Sequence, residues 1–86
     1  MQVQEIEVLT NSLKENFRAI QELTGAFTMS FDQLTGQLEI NLMPDDFYRL
    51  CQATGIAPET STRKSVEFPI ERRIFINNTK FLALFK

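Results

Sequence analysis

The chain predicts a small α+β domain, with helices packed on an antiparallel sheet in the order α-β-β-α-β-β. Three observations lead there: an apolar stripe at three- and four-residue spacing near the N-terminus, two pairs of alternating apolar segments joined by turn formers, and a short apolar-faced segment opened by proline and closed by glycine. Leu, Ile, Val and Phe supply 27 of the 86 residues, well above the roughly 20% below which a chain lacks the apolar surface to fold. That length fits a single domain over residues 1–86.

The first element is a helix from residue 3 to Thr24. Ile6, Leu9, Leu13, Phe17, Ile20 and Leu23 share one stripe, Gln, Glu, Lys and Arg fill the other side, and Gly25 follows at once, where a left-handed stop suits glycine. Read as heptads, Ile6, Leu13 and Ile20 fall at a, with Leu9, Asn16 and Leu23 at d. That pattern fits a coiled-coil seam with Asn16 fixing register. Fewer than three full heptads, and Phe17 widening the stripe, favour a helix packed on its own sheet instead.

Residues 26–42 form the first hairpin. Phe27, Met29 and Phe31 alternate with polar residues, as do Leu38, Ile40 and Leu42, so Phe31 should oppose Leu38, Met29 oppose Ile40 and Phe27 oppose Leu42. Gln33 to Gly36 are then the loop, with Gly36 at positive φ. A second helix runs from Pro44 to Thr54: proline suits its first position, and Asp45 and Asp46 suit the positive end of its dipole. Phe47, Leu50, Cys51 and Thr54 make its apolar face, and Gly55 ends it.

Residues 57–65 lack periodicity and are expected to be a surface loop. Val66 to Phe85 read as strands, interrupted at Phe68-Pro69 because proline cannot donate to a ladder. Asn77-Asn78 tolerate positive φ and join Ile70–Ile76 to Thr79–Phe85 in a tight turn, pairing Ile76 with Thr79, Ile74 with Phe81 and Arg72 with Ala83.

Composition excludes several chemistries. With no His and one Cys, Cys51, there is neither a Ser-His-Asp or Cys-His catalytic set nor a Cys/His zinc site. Asp45 and Asp46 diverge by about 100° on a helix and make no catalytic dyad; Cys51 has no base beside it; the three glycines are too scattered for a phosphate loop. No enzyme, cofactor or metal is expected. The lone thiol, the acidic N-terminus and the absence of a long apolar run predict a soluble, cytoplasmic chain without a membrane segment. Small size and the lack of enzyme motifs suit an accessory protein of a bacterium or phage.

Charge is unevenly placed. Residues 1–60 hold three cations against nine carboxylates, a net −6, whereas residues 61–86 hold six against two, a net +4. In the C-terminal hairpin, one face carries Ile70, Ile74, Ile76, Phe81, Ala83 and Phe85 with Arg72 as its lone charge. The other interleaves Phe75, Leu82 and Leu84 with Glu71, Arg73 and Lys80. Three large apolar residues on that outer side call for a cover: the protein's own helix, another protein chain, or single-stranded nucleic acid stacked on Phe75. The reading that follows is a non-enzymatic protein–protein interaction or assembly module, self-association included. Its contact residues would be Arg73, Phe75, Lys80, Leu82 and Leu84. Nucleic-acid binding, with Arg63, Lys64, Arg72, Arg73 and Lys80 meeting phosphates, is the alternative, against which stands a pI of about 5.0.

Overall fold

In a computed structural model describing residues 2–86, both helices end at the glycines that follow them. Two helices and five strands follow one another as α1 (Val3–Thr24), β1 (Thr28–Asp32), β2 (Gln37–Asn41), α2 (Pro44–Thr54), β3 (Glu59–Thr62), β4 (Ile70–Ile76) and β5 (Thr79–Phe85). Helices packed on a sheet confirm the α+β class.

Both hairpins adopt the registers that alternation predicts. Phe31 faces Leu38 and Met29 faces Ile40; Ile74 faces Phe81 and Arg72 faces Ala83. In the first turn Gly36 takes φ 68° and its N–H donates to the Asp32 carbonyl at 2.8 Å. In the second, Asn77 and Asn78 sit at φ 51° and 56°, the backbone of a type I′ turn matched to strand twist.

The sheet departs from expectation in three ways. β4 starts only at Ile70, which leaves Val66 to Phe68, expected as strand, outside the sheet. The strand order is β1-β2-β5-β4-β3, and β2 and β5 run parallel, Ile40 beside Phe81, so the sheet is mixed. Residues 59–62 are a strand, not loop: β3 pairs antiparallel with β4, Thr60 opposite Arg72 and Ser61 opposite Glu71. Four polar residues at a sheet edge bury no alternating face, and that alternation is the only local signature a strand has.

One face of the sheet holds the core. Ile40, Ile74, Phe81 and Ala83 meet Phe47 of α2 there, together with Ala26 and Leu42. Phe47, Ile40 and Ile74 are fully enclosed, each worth about 1.5–3 kcal/mol of burial. α2 ends at Gly55, φ 71°, whose N–H donates to the Cys51 carbonyl. Gly25, φ 79°, stops α1 in the same way, and a Cβ there would stand 2.5 Å from the Asp46 side chain.

α1 is only half supported. Phe17 and Ile20 pack against the core, whereas every residue from 2 to 16 is exposed and none in the helix is buried. The expectation of a helix laid along its own sheet therefore holds for the C-terminal half alone. The 22-residue helix is about 33 Å long, and the molecule is elongated, 45 × 28 × 21 Å. No described helix is long and apolar enough to cross a membrane.

Candidate interaction surfaces

Strand alternation places Glu71, Arg73, Phe75, Lys80, Leu82 and Leu84 together on the sheet face opposite both helices, as the registers Arg73–Leu82, Phe75–Lys80 and Glu71–Leu84 show. Neither helix covers it. Glu59 and Ser61 of β3 and Glu39 and Asn41 of β2 complete this face.

The five predicted contact residues do not share one fate. Phe75 is 40% exposed and Leu84 half-buried, but Leu82 is buried at 4%, which corrects its place among the contact residues. Leu82 sits on the third of five strands, between Arg73 and Asn41 in register. Arg73 and Lys80 are committed to carboxylates. Lys80 lies 3.2 Å from Glu71 and 3.5 Å from Glu39; Arg73 lies 3.0 Å from Glu71 and 3.5 Å from Glu59, and also donates to the Ser61 hydroxyl at 2.8 Å. This ladder of ion pairs joins β2, β5, β4 and β3. Of the cations assigned to phosphates in the nucleic-acid alternative, these two already have anionic partners, and Arg63 donates to the Phe68 carbonyl.

α1 offers the larger apolar surface. Val3, Ile6, Leu9 and Leu13 are 66%, 43%, 68% and 54% exposed. Their three- and four-residue spacing was legible as a stripe; its lack of a cover was not, because spacing says which residues share a face and nothing about what lies over it.

On the helix side of the sheet a second feature stands out. Arg72, the lone charge among apolar neighbours, donates from Nη1 to the Tyr48 hydroxyl at 2.7 Å. Its guanidinium carbon lies 4.9 Å from the centroid of the Phe85 ring. Tyr48, Phe85 and Phe47 are mutually tilted or edge-on, with centroids 5.5–6.2 Å apart, a favourable aromatic arrangement. Arg72 Nε is buried without an acceptor, an arrangement that ordinarily costs about 1–3 kcal/mol.

A concavity of about 580 Å³ opens where β2 and β5 end, lined by Phe27, Leu42, Met43, Phe68, Leu84 and Phe85 among others. Cys51 is half-buried against the core, and burial pushes its thiol above the usual range, away from the reactive thiolate. Asp46 is paired with Arg49 at 2.6 Å in the first turns of α2, and among the described residues no group of three His, Cys, Asp or Glu side chains is placed to hold a metal ion. No protein-family model matches this chain and no curated protein or solved structure is detectably similar to it, so these surfaces speak only through their own chemistry.

Proposed function

We propose that this protein is a non-enzymatic interaction module that associates with a second copy of itself, the N-terminal half of α1 being the principal contact. One observation carries this: the stripe Val3, Ile6, Leu9 and Leu13 is exposed on a helix whose other half is anchored to the body. An isolated helix shorter than about 12–15 residues is marginal in water, and apolar cover along that stripe would stabilise it. Two copies of one stripe are self-complementary under a two-fold axis, the commonest arrangement of identical chains. The opposite net charges of residues 1–60 and 61–86, −6 and +4, favour association between copies in general rather than the α1 contact in particular. Phe75 and Leu84 add a smaller apolar area on the hairpin.

Sedimentation equilibrium across the micromolar range tests the reading. The wild-type chain should associate with rising concentration, and the double variant I6D/L13D should remain monomeric. Because both positions are exposed, the variant's unfolding midpoint at high dilution should match the wild type within about 0.5 kcal/mol. A wild-type chain that stays monomeric at several hundred micromolar would remove self-association.

A further inference from the structure

We propose that Arg72 and Tyr48 form a binding site for an oxyanion, a carboxylate or phosphoryl group, where α2 meets the β4–β5 hairpin. The contrast with the hairpin's other cations is the starting point. On the outer face Arg73 and Lys80 each have two carboxylate partners; on the helix face Arg72 has none among the described residues, where its only side-chain hydrogen bond is the one it donates to Tyr48. A cation held beside an apolar core without an anion is unfavourable unless something else meets it.

The local geometry leaves donors and no acceptor. The guanidinium carbon lies 4.9 Å from the Phe85 centroid, and arginine recognises carboxylate and phosphate through in-plane hydrogen bonds from its edge. Tyr48 accepts from Arg72 Nη1, so its own O–H is free to donate. Tyr48 is 42% exposed, which opens the site to solvent. The guanidinium and the phenol are thus neighbouring donors, joined at 2.7 Å, and the complement of such a donor pair is an atom group bearing two or more anionic oxygens. Asp45, one turn earlier on α2, is exposed and makes no ion pair with Arg72, so no carboxylate among the described residues fills the position.

The chain contains one tyrosine and no tryptophan, so its ultraviolet emission reports Tyr48 alone. Inorganic phosphate and acetate are titrated separately at constant ionic strength against chloride. At least one should change the emission saturably, phosphate alone marking a phosphoryl site and acetate alone a carboxylate site. R72Q should abolish the saturable change, and R72K should weaken binding by about tenfold, the worth of one charge-assisted hydrogen bond. In parallel, the wild-type arginine side-chain nitrogen–proton signals are followed by NMR, which needs no variant to fold: that of Arg72 should move and that of Arg73 should not. No saturable change with either anion overturns the site. So does an unchanged response in R72Q, or an equal shift of all arginine signals.

Discussion

Lys80 of β5 reaches Glu71 of β4 at 3.2 Å, both side chains only 16% exposed, and the contact runs diagonally across the position of Leu82. The register makes this necessary: Lys80 stands opposite Phe75 and Glu71 opposite Leu84, the two same-face pairs flanking Arg73–Leu82. An ion pair thus covers the apolar residue that alternation puts on the outside, and the long stem of lysine supplies apolar contact along the way.

Removing that cover should be felt. K80A leaves Glu39 and Glu71 without their shared cation and opens Leu82 to water. A loss of about 1–3 kcal/mol is expected in urea unfolding. E39Q/K80A should recover part of it, since Glu71 keeps Arg73 at 3.0 Å while Glu39 pairs with Lys80 alone among the described residues. Equal urea midpoints for wild type and K80A would mean that the pair contributes no net stability.

Changing Leu82 and Phe75 to aspartate separates core from surface on one sheet face. L82D places a charge at a 4% exposed site and should cost more than about 3 kcal/mol, enough to abolish cooperative melting in a domain this small. F75D, at 40% exposure, should stay within about 1 kcal/mol of wild type. Circular dichroism melts of the two variants decide this, and the reverse ranking would mean that the face is covered from the other end.

Glycine replacements test how α1 is attached. G25A must hold a side chain at φ 79° and place its Cβ 2.5 Å from Asp46, which is itself held by Arg49. G36A has a similar φ of 68° but open space around it. The left-handed backbone alone costs about 1–2 kcal/mol, so G36A should lose about that much and G25A clearly more. Urea midpoints measure the difference, and equal losses would show that Asp46 yields freely.

Local chemistry was legible in the sequence and assembly was not. Gly25, Pro44 and Gly55 marked the helix ends, and Gly36 and Asn77-Asn78 marked the turns. Met29–Ile40 and Ile74–Phe81 followed from alternation, because a period of two fixes which side chains share a face. The parallel joining of β2 to β5 had no local signal, since neither strand's pattern names its neighbour. β3 was lost because Glu59 to Thr62 pair only through their backbone at an edge. Leu82 was assigned to the correct face and to the wrong solvent exposure, for want of the Lys80–Glu71 contact. α1 was placed correctly residue by residue, but nothing in its stripe tells that Phe17 and Ile20 find a core while Ile6 and Leu9 find none.

The parallel β2–β5 seam has a kinetic consequence. Each hairpin closes over a few residues and can zip within about 1–10 μs by itself, but Leu38 meets Thr79 only after about forty residues of chain have been brought round. The rate at which this chain folds is therefore set at the middle of its sheet. Each β-hairpin can form early, and the native state waits for the two to find one another.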